Sequence, residues 1–148
     1  ENVEIILNER GFIPETYIQK DERLNIYKRF AMLETDGELN DLLDEIRDRF
    51  GKIPEQMKKF ILSIKLKLFA EKHKIQRILE TRNHFELYFL ENAQEKIIEL
   101  NKKISMQLVE KVITIESIKN KKKSDEETNE AFVIMKTRKT DFLNIVKE

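Results

Sequence analysis

The stretch at residues 38–74, ELNDLLDEIRDRFGKIPEQMKKFILSIKLKLFAEKHK, decides the fold of this 148-residue chain. It predicts two helices joined by a turn between Phe50 and Pro54. Gly51 lies where a left-handed C-cap is expected, because glycine has no Cβ to clash in that conformation. Pro54 suits the start of the next helix, since the first helical N–H groups have no partner within the helix. The stretch therefore predicts two consecutive helices with a sharp boundary between them.

Apolar residues recur at helical spacing in both of these helices. One stripe marks the first helix and two stripes mark the second. A helix that is apolar on two sides must be covered from two directions, so we predict that residues 54–73 form the buried centre of the domain. The first stripe is Leu39, Leu42, Leu43, Ile46 and Phe50; the second helix has Met57, Phe60, Ile61, Ile64 and Leu68 on one side and Leu62, Leu66 and Phe69 on another.

The flanking segments predict one further helix before this stretch, and strands on both sides of it. Val3, Ile5 and Leu7 alternate with polar residues, which is typical of a strand. Asp21 is a candidate cap for a helix that continues to about residue 33, and Thr35 with Glu38 has the capping-box spacing. After residue 74 the pattern predicts strands at 75–81 and 85–90, a helix at 91–106, strands at 112–118 and 131–137, and a helix at 140–146.

This order predicts an α+β fold in which three N-terminal helices pack on a small, mostly antiparallel sheet, in the order β-α-α-α-β-β-α-β-β-α. The length fits a single domain over residues 1–148. The chain begins with Glu1 and not with Met, which suggests a fragment of a larger multidomain protein. Residues 119–130 include no apolar side chain and a block of each charge, which predicts a mobile loop between two strands.

Composition excludes several classes of function. Lysine and arginine together number 28 and so do aspartate and glutamate, so no net charge draws the chain towards nucleic acid or an acidic membrane. The absence of cysteine excludes disulfides and thiolate metal sites. No apolar run is long enough to span a membrane, and there is no signal peptide, so we expect a cytoplasmic, monomeric fragment.

Catalytic motifs are also missing. With three glycines the chain has no glycine-rich phosphate loop, and no histidine pair has metal-ligand spacing. His73 and His84 stand alone, and we interpret both as structural. We therefore expect no catalytic residue, no metal and no cofactor.

One charged face has two interpretations. Asp41, Asp44, Glu45 and Asp48 lie within an arc of about 100° on the first helix of the central stretch, nearly opposite its apolar stripe. Like charges at this spacing repel by a few tenths of a kcal/mol per pair. The face is either an ordinary solvated surface or a docking surface for an arginine-rich partner. The basic cluster of Lys20, Arg23, Lys28 and Arg29 leaves open an alternative, a nucleic-acid-binding accessory domain.

A run of residues resembles the C-terminal domain of the bacterial transcription-repair coupling factor family. The resemblance covers residues 13 to about 78 and is weaker towards the C-terminus. The motif at residues 11–14 opens it, and the segment at residues 65–78 continues it. The residues that carry it are Gly11, Phe12, Ile13, Pro14, Tyr17, Ile18, Arg23, Tyr27, Lys28, Arg29, Glu45–Gly51, Pro54, Ala70 and Ile75.

The resemblance implies a regulatory domain without catalysis of its own. Parent proteins of this family recognise RNA polymerase stalled at damaged duplex DNA, push it off with an ATP-driven motor and recruit the excision-repair ATPase UvrA. Their C-terminal domain is thought to clamp the N-terminal UvrA-binding module and hold it in an autoinhibited state. Carried onto this sequence, the contact would involve Glu45 and Asp48, and Arg49 would orient Glu45 or reach the partner itself. We therefore predict a partner-binding surface of Asp41, Asp44, Glu45, Asp48 and Arg49.

Overall fold

The computed structural model describes residues 2–104, 111–117 and 129–147. The chain divides into two compact units, with one boundary after Asn8 and the other after Leu68, within a helix. The first unit combines Glu1–Asn8 with Phe69–Glu148, and the second is Glu9–Leu68. That residues 1–148 form one domain stays a prediction.

The α+β class and the predicted element order are both confirmed. The order is β1 (Glu4–Ile6), α1 (Lys20–Ala31), α2 (Asp36–Phe50), α3 (Glu55–His73), β2 (Ile75–Glu80), β3 (His84–Leu90), α4 (Gln94–Lys103), β4 (Lys111–Ser117), β5 (Asn129–Arg138) and α5 (Lys139–Lys147).

The unit at Glu9–Leu68 is built around the apolar faces of α1 and α2 and the first part of α3. Ile26 and Phe30 of α1 are almost fully buried, as is Ile46 of α2. Met57 of α3 is fully buried in the same core, and the Phe60 ring meets that of Phe30 edge-on, with 5.1 Å between their centroids. The stripe predicted for α2 is buried as expected at Leu39, Leu42, Leu43 and Ile46, and Phe50 packs against it.

Helix ends follow the sequence signals in two cases and depart from them in two. Thr35 and Glu38 form the predicted capping box at the start of α2. The N-cap of α1 is Gln19, which makes no side-chain capping bond, so the prediction of Asp21 as cap was wrong. Asp21 lies in the first turn instead, where its charge is favourable to the helix dipole.

Gly51 has φ 91° and ψ −159°, so its backbone is not in the left-handed helical conformation that the sequence suggested. This region of positive φ is open essentially to glycine alone. The Tyr17 hydroxyl donates a hydrogen bond to the Gly51 carbonyl at 2.6 Å, which fixes the turn. The Pro54 carbonyl then accepts the first hydrogen bonds of α3, from Met57 and Lys58, so proline does stand at the start of that helix.

A second glycine is required by close packing. A Cβ at Gly11 would lie 1.9 Å from the backbone nitrogen of Phe60 in α3. The neighbouring Phe12 N–H donates to the Gln56 carbonyl at 3.1 Å, which ties this segment along α3. The apposition of backbones needs a residue without a side chain.

The other unit contains a five-stranded sheet with strand order β1-β2-β3-β5-β4. β1 pairs with β2 in parallel, and the remaining three pairs are antiparallel, so the sheet is mostly antiparallel as predicted. Phe142 of α5 packs against Phe85 of β3, with 5.1 Å between ring centroids. The sheet is assembled from two separate stretches of chain, because the residues of the helical unit are inserted in the sequence between β1 and β2.

Most of the predicted loop at residues 119–130 lies outside the described residues. The helix predicted at 91–106 is shorter than expected, because α4 begins at Gln94 and ends at Lys103, where Ile104 is already extended. β5 begins at Asn129, so the last two residues assigned to that loop belong to a strand. Within the described ranges no helix has the length and apolar character that a membrane span requires.

Candidate partner-binding surface

The acidic surface, defined as Asp41, Asp44, Glu45, Asp48 and Arg49, is presented by the solvent-facing side of α2. Leu42 and Ile46 on the opposite side are 3% and 0% exposed, and this burial fixes the rotation of the helix. Asp41, Asp44 and Asp48 are consequently exposed, and Glu45 is half-buried.

Glu45 is held by two arginines of its own unit. The Arg29 guanidinium donates two hydrogen bonds to its carboxylate, at 2.6 and 2.7 Å. Arg49 donates a third, at 3.3 Å. The bonds from Arg29, joined by those from Arg49, outweigh desolvation and lower the pKa of Glu45 from its ordinary value of 4.5 to about 2. Glu45 is therefore a charged group with a fixed orientation.

Arg49 links α1 to α2. Its Nη2 lies 3.1 Å from Glu22 Oε2, and its guanidinium lies 4.8 Å from the centroid of the Phe50 ring. The hydrogen bond to Glu22 is the main cause that raises the pKa of Arg49, and Glu45 adds to it. Arg49 does contact Glu45 in the fold. That it orients Glu45 for a partner, or reaches the partner itself, stays a prediction.

The three aspartates of the surface have different surroundings. Asp44 accepts a hydrogen bond from Arg47 at 3.0 Å, one turn along the helix. Asp41 and Asp48 make no hydrogen bond or ion pair with the part of the chain that the structure describes. The surface thus combines one carboxylate held by two arginines, one paired with Arg47 and two without a partner among the described residues.

Sequence reasoning missed the contribution of Arg29 and Glu22. Arg29 was grouped with a basic cluster, whereas it faces Glu45, which lies 16 residues away on the next helix. Helical spacing within one element gives no sign of a pair formed between two elements. The remaining members of the basic cluster differ in their exposure to solvent. Lys20 and Lys28 are exposed, and Arg23 Nη1 is buried without a hydrogen-bond partner among the described residues.

Among the described residues, neither histidine belongs to a group of side chains that could hold a metal ion. His73 is 7% exposed and lies against the Phe69 ring, and burial, aided by Lys103 and Lys72, lowers its pKa. His84 lies at the β2–β3 turn, where its backbone bonds with Thr81. In the described ranges no group of three histidine, aspartate or glutamate side chains could hold a metal ion.

Known proteins resemble this chain in sequence and in fold. A family model described as the TRCF domain matches residues 7–100, which include the whole acidic surface. A transcription-repair-coupling factor of Bacillus subtilis (strain 168) is 33% identical over 88 residues, which are 59% of this chain and 8% of that protein. One of Borreliella burgdorferi is 32% identical over 107 residues, covering 70% of this chain and 10% of that protein. This chain spans about a tenth of the length of these relatives.

A solved structure shares the fold along nearly the entire chain. The crystal structure of the C-terminal domain of transcription-repair coupling factor matches with a TM-score of 0.65. The match covers 98% of this chain and 87% of the other at 18% sequence identity, so it concerns the fold alone.

Proposed function

The chain belongs to the TRCF domain family, and on that premise we propose that its acidic surface holds another module of a longer parent, a transcription-repair coupling factor. The proposed partner is the N-terminal UvrA-binding module of the same parent. The contact would keep that module closed while the parent rests. The parent would open it when it removes stalled RNA polymerase from damaged duplex DNA and recruits UvrA. This domain would contribute binding and no chemistry.

One observation carries the proposal. Asp41 and Asp48 are exposed on the same helix as Glu45, and neither is paired within the described residues, whereas Glu45 is fixed by Arg29 and Arg49. Carboxylates without internal partners are available to the planar guanidinium groups of another module, which bind a carboxylate with two parallel hydrogen bonds. A fixed carboxylate between them needs little ordering on binding.

The energetics suit a contact that must open. Exposed ion pairs contribute about 0.2–1 kcal/mol each. A few such pairs bias an equilibrium between closed and open states by a few kcal/mol, and a signal of similar size can reverse that bias. A large apolar interface would be harder to release.

The decisive experiment uses the full-length parent. Replacing Asp41→Asn together with Asp48→Asn removes two charges and keeps both side-chain shapes. We expect UvrA to bind roughly threefold to tenfold more tightly to this variant, because the closed state loses two weak ion pairs. Titration of labelled parent with UvrA measures the change.

The matched control is Glu15→Gln together with Glu34→Gln. Both residues are exposed carboxylates of the same unit, outside the acidic surface, so this variant has the same net charge as the test variant. It should bind UvrA like the unaltered parent. Equal UvrA affinity in all three proteins would contradict the proposal.

The alternative of nucleic-acid binding is weakened by the position of Arg29. That guanidinium is neutralised by Glu45, so the basic cluster of Lys20, Arg23, Lys28 and Arg29 has one fewer charge to offer to phosphate. Affinity of this chain for duplex DNA that falls steeply with added salt would support the alternative, because phosphate contacts release counterions.

A further inference from the structure

β1, at Glu4–Ile6, is the shortest strand that the structure describes, and it lies at one edge of the sheet. It pairs with β2 over three residues, whereas β3 pairs with β5 over seven. The β1–β2 pairing is parallel, and parallel ladders are slightly less stable per residue than antiparallel ones. Glu4 and Ile6 are exposed and Ile5 between them is half-buried, so pairing removes little apolar surface from water.

Polar contacts at both ends of β1 hold it against β2. Arg77 Nε donates a hydrogen bond to Glu4 Oε1 at 2.9 Å. The Asn8 N–H donates to Glu80 Oε1 at 2.9 Å, and the Asn8 side-chain amide donates to the Thr81 carbonyl at 3.4 Å. All three bonds are exposed, and water competes for exposed polar groups, so each adds little to stability. The hold on β1 thus consists largely of bonds that water can replace.

The segment that follows β1 is anchored differently, in the core of the helical unit. Gly11 lies so close to α3 that a Cβ would be 1.9 Å from the Phe60 backbone nitrogen. Ile13 and Ile18 are almost fully buried in that core, and the Ile13 N–H donates to the Tyr27 hydroxyl at 2.7 Å. This segment cannot leave its place without opening the core. Any release on this side of the chain must therefore occur at β1.

We propose that β1 is a releasable strap, which detaches from β2 as one piece while the other strands and the helical unit stay folded. Partial openings of this kind occur in the least stable parts of folded proteins. The chain passes between the two compact units at two places, after Asn8 and after Leu68. Release of β1 frees the first of these passages from the sheet. The strap thus sets whether the helical unit is tethered to the sheet by one connection or by two.

This device does not depend on the proposed function. It concerns the edge of the sheet, whereas the acidic surface lies on α2. Because the held and released states differ by a few exposed contacts, a small change in free energy moves the chain from one state to the other. A signal that acts on residues 4–8 would therefore change the tether of the helical unit without unfolding that unit.

Native-state hydrogen exchange followed by NMR tests the strap in the unaltered chain. The amides of β1 and Asn8 report release, and the amides of β3, which lies between β2 and β5, report opening of the whole sheet. After correction for intrinsic rates, we expect the protected amides of β1 and Asn8 to exchange at least about a hundredfold faster than those of β3. They should also share one weak dependence on denaturant, because release exposes little surface.

A disulfide across the strand pair tests whether that exchange reports release from β2. Glu4 and Arg77 lie opposite each other, and the chain has no cysteine of its own, so Glu4→Cys with Arg77→Cys allows a single bridge. Oxidation of this variant should slow exchange at β1 and Asn8 at least roughly tenfold relative to its reduced form. The matched control is Glu86→Cys with Lys136→Cys, an acidic and a basic residue opposite each other on β3 and β5. Its oxidation should leave exchange at β1 unchanged.

Three results would overturn the inference. Exchange of the β1 amides at the same rate as those of β3 would mean that β1 opens only when the whole sheet does. Unrelated rates and denaturant dependences among the amides of β1 and Asn8 would mean that the strand frays residue by residue. Fast exchange that persists in the oxidised variant with Glu4→Cys and Arg77→Cys would mean that it does not arise from separation of β1 and β2.

Discussion

Glu45 and Asp48 stand about one helical turn apart on α2, yet their surroundings differ. Glu45 is enclosed by Arg29 and Arg49, and the second of these reaches on to Glu22 in α1. Asp48 has no such partner within the described chain. Carboxylates on the same helix thus have two roles. Glu45, at the centre of the acidic surface, joins α1 to α2, whereas Asp41 and Asp48, at its flanks, are unpaired within the described residues. The proposed binding surface therefore rests on the unpaired flanks, and the count of acidic residues adds nothing to it.

The exposure of Asp41 and Asp48 depends on the rotation of α2, so a substitution on the buried side of that helix should have the strongest effect. Leu42→Ala should lower the free energy of unfolding by about 2–5 kcal/mol, because a cavity replaces a side chain that is 3% exposed. Denaturant titration followed by circular dichroism measures the loss. The matched control is Leu24→Ala on the exposed side of α1, which should cost far less. Equal losses would mean that the α2 face taken here as exposed is not.

The hydrogen bonds that hold Glu45 to Arg29 and Arg49 should make the stability of the fold depend on pH. The pKa of Glu45 is lowered from 4.5 to about 2 by the Arg29 hydrogen bonds, so the folded chain binds its proton less readily than the unfolded chain does. That contribution to stability is fully present above about pH 4.5 and is lost as the pH falls towards 2. Glu45→Gln should therefore lower stability near pH 7 and lose this deficit in acid.

Denaturant midpoints of the unaltered chain and of Glu45→Gln, measured from pH 7 to pH 2, follow that difference. Asp41→Asn is the control, because it removes a carboxylate of the same helix that has no partner in the described part of the chain. A constant gap between the unaltered chain and Glu45→Gln at all pH values would show that Glu45 is not clamped as described.

The sequence was most informative where structure is local. Spacing of apolar residues located the helices and strands of the described residues to within a few positions, and the Thr35–Glu38 capping box was predicted from its motif. The resemblance to the coupling-factor family agreed with the fold and with the family match. These features depend on residues a few positions apart, and the helical and strand periods encode them directly.

The pairing of side chains across the fold could not be predicted, because it depends on contacts between segments that are distant in the sequence. Glu45 and Arg29 come from different helices, so the division of the acidic surface into a fixed centre and available flanks required the fold. The close approach of Gly11 to Phe60 is similar, since it joins positions almost fifty residues apart. The absence of a capping bond at α1 also went unforeseen, because Asp21 satisfied the residue preference but not the position.

Substitution of Asp48, at the unpaired flank of the acidic surface, should change stability least. Asp48→Asn should change the free energy of unfolding by no more than about 0.5 kcal/mol, as surface substitutions without partners usually do. The change should be a slight stabilisation, because it removes a like charge near Asp44 and a negative charge near the C-terminus of α2. Thermal unfolding at low salt measures it, and added salt should shrink it by screening. A clear loss of stability would mean that Asp48, like Glu45, serves the fold, and the flank would then have no unpaired carboxylate to offer a partner at that position.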